Sequence, residues 1–120
     1  MTDIIGVGLD LVDVDRFVRT LERRPSLAQR LFTEAEQSTK RPERLAVRFA
    51  AKEAVMKALG SGIGSMAFRD IEVVLLPSGA PTLVLHGRAA EIAASRGVRS
   101  WKISLSHTDA TAGAVVVAQS

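Results

Sequence analysis

The chain has 120 residues, of which 47% are hydrophobic and only 4% aromatic, enough for one core built from small aliphatic side chains. Cysteine is absent, which excludes disulfides and thiolate metal sites and fits a reducing compartment. The N-terminal residues lack the pattern of a signal peptide, and no apolar run is long enough to span a membrane. We therefore expect one domain, residues 1–120, in a soluble cytoplasmic protein with no membrane contact.

The net charge is small at +3, but it is unevenly distributed. Residues 16–48 hold nine Lys and Arg against four Asp and Glu, whereas residues 1–15 hold four Asp and no basic residue. This asymmetry favours an acidic macromolecular partner together with a metal ion, although a solvated basic face is a common alternative. Nucleic acid is the rival partner, but Phe17, Phe32 and Phe49 fall at apolar helical positions and not at exposed stacking positions. We expect no nucleic-acid binding.

The first predicted element is a buried strand over residues 4–12. Alternate residues from Ile5 to Leu11 are large and apolar, whereas Gly6, Gly8 and Asp10 share the opposite face. Glycine inside a strand often marks the close approach of a ligand or of another element, and tight helix packing is the alternative. Packing does not explain a carboxylate within an apolar run, which makes Asp10 a candidate functional residue.

A helix is predicted near residues 14–23, with Asp13 as its N-cap. Arg16, Arg19 and Arg23 recur at the i, i+3, i+7 spacing of one helix face. This face is the candidate docking surface for an acidic partner.

The long helix predicted over residues 43–59 is apolar or alanine around almost its whole circumference, which is typical of a buried helix. Four charged residues lie on it at i,i+4 spacing, Arg48 with Lys52 and Glu53 with Lys57. Because an unpaired buried charge is costly, we interpret these residues as lining a cleft for a charged ligand. An ordinary surface pair of Glu53 with Lys57 is the alternative.

The other predicted elements are a short turn of helix up to Leu31, a short helix near 34–39 opened by a Thr33–Glu36 capping box, strands at 70–76 and 82–86, a helix at 87–96, and strands at 101–107 and 112–118. The last strand is apolar on both faces, which fits either a central strand or burial in an oligomer. This order predicts an α+β fold, a mainly antiparallel sheet packed with helices.

Several segments together resemble a known family. They are IGVGLDLVDVDRF at 5–17, RFAAKEAVMKALG at 48–60, SGIG at 61–64, FRDIEV at 68–73, PSGAPTL at 77–83 and ISLSHT at 103–108. The chain resembles the holo-acyl-carrier-protein synthases, the small type of 4′-phosphopantetheinyl transferase, over nearly its whole length. The resemblance implies transfer of 4′-phosphopantetheine from coenzyme A to a serine of apo acyl carrier protein, with adenosine 3′,5′-bisphosphate leaving, in lipid and fatty-acid biosynthesis.

The resemblance also implies the site residues. Asp10 and Glu53 would hold Mg²⁺, and Lys57 would contact the pyrophosphate, so that these three form the catalytic set. Mg²⁺ usually takes one or two protein carboxylates. The proton acceptor stays open between Glu53 and a water on the metal.

For coenzyme A, the resemblance implies that Arg48 and His107 contact the 3′-phosphate and that Thr108 adds a hydroxyl. The loop residues that would line the adenosine are Gly60, Gly62 and Ile63. His86 matches no family motif and is interpreted as incidental.

For partners, the resemblance implies docking of the acidic carrier protein on the first helix, through Arg16, Arg19, Arg23 and Arg24, and a homotrimer that shares its sites across subunit interfaces. The rival from another class is a small basic binding module for RNA or scaffolding. A binding module has no need for Asp10 and Glu53 in apolar surroundings, and stabilisation by coenzyme A with Mg²⁺ but not by RNA would favour the enzyme. A degenerate relative is disfavoured because the matched residues are intact.

Overall fold

The computed structural model describes residues 2–39, 41–62 and 64–120. In chain order the elements are β1 (Ile4–Asp13), α1 (Val14–Arg23), α2 (Leu27–Leu31), a 3₁₀ turn (Glu36–Ser38), α3 (Pro42–Ala58), a second 3₁₀ turn (Phe68–Asp70), β2 (Ile71–Leu75), β3 (Pro81–Leu85), α4 (Gly87–Ser95), β4 (Ser100–His107) and β5 (Thr111–Gln119). Each predicted helix and strand is present within a few residues of its expected bounds.

The strands form two antiparallel sheets, one in the order β1-β5-β4 and the other a β2-β3 hairpin. The last strand is therefore the central one of its sheet, which accounts for its apolar residues on both faces. Asp10 on β1 lies opposite Ala114, and Leu9 lies opposite Val115. The predicted α+β class with antiparallel sheets is confirmed.

Helix α3 packs on the glycine face of β1. A Cβ atom built on Gly8 would lie 1.8 Å from the Ala54 carbonyl oxygen, and one on Gly6 would lie 2.0 Å from that of Ala58. The glycines therefore admit the helix backbone, and the packing alternative is correct for both. Most of α3 is buried, as the sequence predicts for this helix.

Local capping sets where the elements before α3 begin. The backbone N–H of Arg16 donates to the Asp13 carboxylate at 2.9 Å, which confirms the predicted N-cap of α1. Thr33 and Glu36 form the reciprocal capping-box bonds at 3.0 and 3.2 Å. They open a 3₁₀ turn of only three residues, because α3 begins soon afterwards, at Pro42. Proline is accepted in the first turn of a helix because an N–H group there has no partner within the helix.

The outer face of β1 is exposed, contrary to the prediction of a fully buried strand. Leu9 and Leu11 expose 59% and 68% of their surface, and Ile4 and Val7 are exposed as well. α3 covers the opposite face of the strand and leaves this one open. No helix in the described part of the chain is long and apolar enough to cross a bilayer.

Candidate active site

Asp10 and Lys57 are brought together where β1 meets the end of α3. The Lys57 amine donates to Asp10 Oδ1 at 3.1 Å and to the Leu9 carbonyl oxygen at 2.9 Å. The Lys57 side chain is 55% exposed, whereas that of Asp10 is only 12% exposed. Lys57 thus pairs with Asp10 and not, as the surface-pair alternative had it, with Glu53. The Lys57 amine therefore lies near solvent at the opening of the site, and the Asp10 carboxylate lies deeper.

The second oxygen of Asp10, Oδ2, is buried and has no hydrogen-bond partner among the described residues. A buried carboxylate oxygen without a partner is costly, so such a group in a folded protein needs an explanation. A cation that binds at this oxygen would remove the penalty.

Glu53 lies one turn before Lys57 on α3 and is half-buried. Burial raises the pKa of its carboxyl group, and the negative charge of Asp10 raises it further, while Lys57 acts in the opposite direction. The two carboxylates therefore repel each other in a partly buried setting. Two such carboxylates are a donor set that fits Mg²⁺, which keeps most of its other positions for water and phosphate oxygens.

Glu53 lines an open cavity of about 490 Å³ whose other lining residues come mainly from β1, α1, α2 and α3. Phe49, Phe68 and several leucines form its apolar walls, and Arg16 lies on its rim from α1. Phe49 and Phe68 stack with their ring centres 5.5 Å apart. The cavity therefore extends from Glu53 to α1, the helix that carries the predicted docking arginines.

Arg48 and His107 line a second cavity of about 370 Å³, together with Arg44 and apolar residues of β2 and β4. Arg48 comes from α3 and His107 from the end of β4, so the fold brings together two residues far apart in sequence. Arg48 Nη1 donates to the Glu36 carbonyl oxygen at 3.2 Å. This cavity can accept an anion.

Thr108, by contrast, is engaged in the β4–β5 turn. Its hydroxyl oxygen accepts from the backbone N–H groups of Ala110 and Thr111, at 3.2 and 3.0 Å. It lines neither of these cavities. The Thr108 hydroxyl therefore stabilises this turn. Its position gives no support for the predicted contact to coenzyme A.

The glycine loop begins where α3 ends. Gly60 has a φ of +66°, the left-handed conformation that ends many helices, and its N–H donates to the Lys57 carbonyl. Gly62 is exposed and has open space around its Cα. Neither residue lines the two cavities described above, and Ile63, also predicted at the adenosine, lies outside the described residues.

Lys52 corrects the interpretation that all four charges of α3 line a ligand cleft. Its side chain is completely buried, and its amine donates to Glu36 Oε1 at 2.7 Å, to the Phe68 carbonyl oxygen at 3.0 Å and to the Ile71 carbonyl oxygen. Three acceptors match the three N–H groups of an ammonium, which makes burial tolerable. Sequence reasoning recognised Glu36 only as a capping residue and missed it as a buried counterion.

The predicted docking arginines Arg16, Arg19 and Arg23 are exposed on α1, and Arg24 caps its C-terminus. His86, interpreted as incidental, forms a 3.0 Å contact with Glu72 on the neighbouring strand. That contact, more than any other influence, lowers the pKa of the Glu72 carboxyl group. The pair links β2 to the residue that precedes α4, and neither residue lines either cavity.

Similarity to known proteins agrees with this geometry. A family model described as the 4′-phosphopantetheinyl transferase superfamily matches residues 6–115. Holo-acyl-carrier-protein synthases of Frankia alni and Frankia casuarinae are 52% and 53% identical, over 98% and 97% of this chain and 98% of each relative. The Helicobacter pylori holo-acyl-carrier-protein synthase, solved in complex with coenzyme A, aligns with a TM-score of 0.84 and 31% identity, over 93% of this chain and 98% of that one. The chain therefore belongs to the 4′-phosphopantetheinyl transferase superfamily and is an enzyme of its holo-acyl-carrier-protein synthase type.

Proposed function

We propose that this chain transfers 4′-phosphopantetheine from coenzyme A to a serine hydroxyl of an apo acyl carrier protein, with Mg²⁺ as cofactor and adenosine 3′,5′-bisphosphate as the second product. The observation that carries the proposal is the cluster of Asp10, Glu53 and Lys57 at the β1–α3 contact, within a chain of this superfamily. The reaction forms a bond from the serine oxygen to the β-phosphorus and breaks the bond from that phosphorus to the bridging oxygen. The bisphosphate leaves with the electron pair.

The choice of metal ligands is supported by Asp10 Oδ2, which has no hydrogen-bond partner among the described residues, and by the raised pKa of Glu53. Asp10 and Glu53 would hold Mg²⁺, which when bound neutralises charge on the pyrophosphate oxygens. The pairing of Lys57 with Asp10 supports the same choice, because a positively charged group already lies against this carboxylate.

Lys57 and Glu53 carry the parts of the reaction that this chain supplies itself. The exposed Lys57 amine can turn toward the pyrophosphate and offset the charge that develops on the leaving phosphate. Glu53 would be the residue of this chain that could take the serine proton, and a water on the metal is the alternative acceptor. Phosphoryl transfer depends mainly on such positioning and charge stabilisation.

Arg48 and His107 would recognise the 3′-phosphate of coenzyme A, which is supported by their meeting in one cavity. Their cavity and the cavity at Glu53 share no lining residue. Two half-sites on one chain fit an active site completed by a second copy. The homotrimer that we propose would use the exposed apolar face of β1, including Val7, Leu9 and Leu11, as part of its interface.

The acidic carrier protein would dock on α1, through Arg16, Arg19, Arg23 and Arg24. Arginine forks pair well with carboxylates, and Arg16 lies on the rim of the cavity that contains Glu53. We also propose a cytoplasmic location and a role in fatty-acid biosynthesis, supported by the cysteine-free sequence and by the named relatives.

The reaction can be tested by intact-protein mass spectrometry of an apo carrier protein incubated with this chain, coenzyme A and Mg²⁺. We expect the carrier protein to gain the mass of one phosphopantetheine, and a carrier protein whose target serine is replaced by alanine to gain none. A chain with Asp10→Ala, incubated in the same way, should give no product. An unmodified carrier protein after incubation with the native chain would contradict the proposal.

A further inference from the structure

Glu36 and Lys52 form a completely buried ion pair whose polar atoms are all satisfied. Glu36 Oε1 accepts from the Lys52 amine and from the Thr33 N–H, and Glu36 Oε2 accepts from the Val73 N–H at 3.0 Å. The other two bonds of the Lys52 amine go to the carbonyl oxygens of Phe68, in the second 3₁₀ turn, and of Ile71, at the start of β2. One pair thereby fixes the 3₁₀ turn, α3 and β2 relative to each other.

The Glu36 backbone, which this pair helps to fix, in turn contacts Arg48. The Glu36 carbonyl oxygen is the acceptor for Arg48 Nη1, and the Glu36 side chain is locked from three directions by Lys52, Thr33 and Val73. Arg48 also lies one turn before Lys52 on α3. The Arg48 side chain therefore starts from its own helix and ends at a carbonyl group whose residue is hydrogen-bonded to three other segments.

The partner of Arg48 is a neutral carbonyl group, and within residues 2–39, 41–62 and 64–120 no carboxylate forms a salt bridge with it. Arg48 is oriented but its charge is not neutralised by direct contact. Such an arrangement leaves the remaining N–H groups of the guanidinium to an incoming anion in the cavity shared with His107.

Stability alone does not account for the pair. A buried ion pair can often be replaced by apolar residues of similar volume with little loss of stability, because desolvation offsets much of the attraction. An apolar pair at these positions would fill the space, but it would leave the N–H groups of Thr33 and Val73 without the acceptor that now fixes the Glu36 backbone.

We propose that Glu36 and Lys52 are positioning residues for Arg48 and thereby set the preference of this chain for a nucleotide that carries a 3′-phosphate. The inference rests on the proposed function, since it presumes that Arg48 contacts the 3′-phosphate of coenzyme A. Neither Glu36 nor Lys52 touches the nucleotide in this proposal.

The test compares kcat/KM for coenzyme A with kcat/KM for dephospho-coenzyme A in the native chain, Arg48→Ala, Glu36→Gln and Lys52→Met. Both substrates are assayed on the same sample, so the fraction of folded enzyme cancels from the ratio. We expect Arg48→Ala to reduce the ratio by about 10- to 100-fold, as for a lost hydrogen bond between charged groups. Glu36→Gln and Lys52→Met should each reduce it by about tenfold. Adding Glu36→Gln to Arg48→Ala should reduce it little further, since Glu36 acts only through Arg48.

Glu72→Gln is the matched control. Glu72 also carries a partly buried carboxylate with two side-chain partners, Thr33 and His86, but it does not contact Arg48. We expect the control to lower the melting temperature and leave the substrate ratio unchanged. If Glu36→Gln gives no folded protein, the Glu36→Leu, Lys52→Met double variant leaves no buried charge and provides the same comparison.

The outcomes separate the two proposals. A native ratio in the Glu36 and Lys52 variants, with a reduced ratio in Arg48→Ala, would overturn the positioning role and leave the 3′-phosphate contact intact. An unchanged ratio in Arg48→Ala would overturn both the contact and the positioning role, while transfer to the carrier protein would still be measured independently.

Discussion

Lys57 donates a hydrogen bond to the carboxylate of Asp10, across the contact between α3 and β1, and forms its ion pair there and not with Glu53 on its own helix. The lysine therefore stands where a metal ion would also be attracted. Its charge partly satisfies Asp10, whereas the other oxygen of the same carboxylate has no hydrogen-bond partner within residues 2–39, 41–62 and 64–120.

Replacing Lys57 with methionine should make the protein alone bind Mg²⁺ more tightly, by about tenfold, while transfer activity falls. The cation that competes for Asp10 is removed, and so is the contact to the pyrophosphate. Isothermal titration calorimetry without coenzyme A measures the affinity. Arg88→Met, on α4, has the same change in net charge and should leave Mg²⁺ affinity unchanged. Weaker Mg²⁺ binding by the Lys57 variant would mean that the lysine supports the metal site in the free protein.

Glu53→Gln should raise the melting temperature of the metal-free protein at neutral and alkaline pH. The pKa of Glu53 is raised in the folded state, so the folded protein disfavours the ionised carboxylate relative to the unfolded chain. Native stability should therefore decline as pH rises from the usual glutamate pKa through the raised one, a decline that glutamine removes. The two proteins should melt alike at pH values below the usual glutamate pKa.

The same pair of proteins tests the metal assignment. Mg²⁺ should raise the melting temperature of the native chain by more than that of Glu53→Gln, because the variant has lost a ligand. Near-normal transfer by Glu53→Gln at ordinary Mg²⁺ concentrations would remove Glu53 from the metal site. Asp10→Ala and Glu53→Ala should each abolish transfer while the protein stays folded.

Gly8→Ala should lower the free energy of unfolding by about 3 kcal/mol and reduce transfer activity, because the new methyl group collides with the Ala54 carbonyl oxygen and displaces α3 from β1. Gly62→Ala is the control, since a Cβ there meets no atom within 4 Å. It should change the free energy of unfolding by less than about 1 kcal/mol. Urea denaturation measures both. Equal stability of the two variants would show that α3 can move away from β1 at little cost.

Reversing Arg16 and Arg23 to glutamate should raise the KM for carrier protein by tenfold or more and leave the KM for coenzyme A nearly unchanged. Both side chains are exposed on α1, and electrostatic steering acts over a Debye length of about 8 Å at physiological ionic strength. Steady-state kinetics at two salt concentrations gives the result, with a smaller effect at high salt. The same reversal of Arg88 and Arg99 is the control. An unchanged carrier-protein KM in the α1 variant would place docking on another surface.

Leu9→Lys should dissociate the proposed trimer and reduce transfer activity with it, because a lysine would enter an apolar interface. Leu9 is among the most exposed large apolar residues of the β1 face. Sedimentation velocity measures the oligomeric state, and Leu76→Lys, at an exposed leucine before the β2–β3 turn, is the matched control. A monomeric native chain with full activity would refute the shared site.

The helices and strands were predicted well from the sequence, because the signals that begin and end them come from residues close by in the chain. The Asp13 cap, the Thr33–Glu36 capping box and the proline at the start of α3 act within a few residues. Glu53 and Lys57 are four residues apart, so their positions one turn apart on the same helix also follow from the local sequence. The carboxylate of Asp10 stood out because it interrupts an apolar strand, and the structure places it beside that helix end.

The remaining features depend on contacts between distant segments. Nothing near Lys52 in the sequence shows that its partner is Glu36, sixteen residues earlier, so its burial could not be separated from exposure to a ligand. The partner of Lys57 lies 47 residues away on another element, which is why the pair with Asp10 was not anticipated. The apolar residues of β1 indicated burial, but a sequence pattern does not say whether its own chain or another copy covers the face.

The order β1-β5-β4 means that, in the part of the chain that the structure describes, β1 has β5 as its one neighbour in the sheet. During synthesis, β1 leaves the ribosome roughly ten seconds before β5 at ordinary translation rates. For that interval the strand that carries Asp10 lacks its β5 partner, while its outer apolar face is open as it is in the folded chain. We therefore expect ribosome-bound chains to lack activity and to be substrates for nascent-chain chaperones until Thr111–Gln119 has emerged.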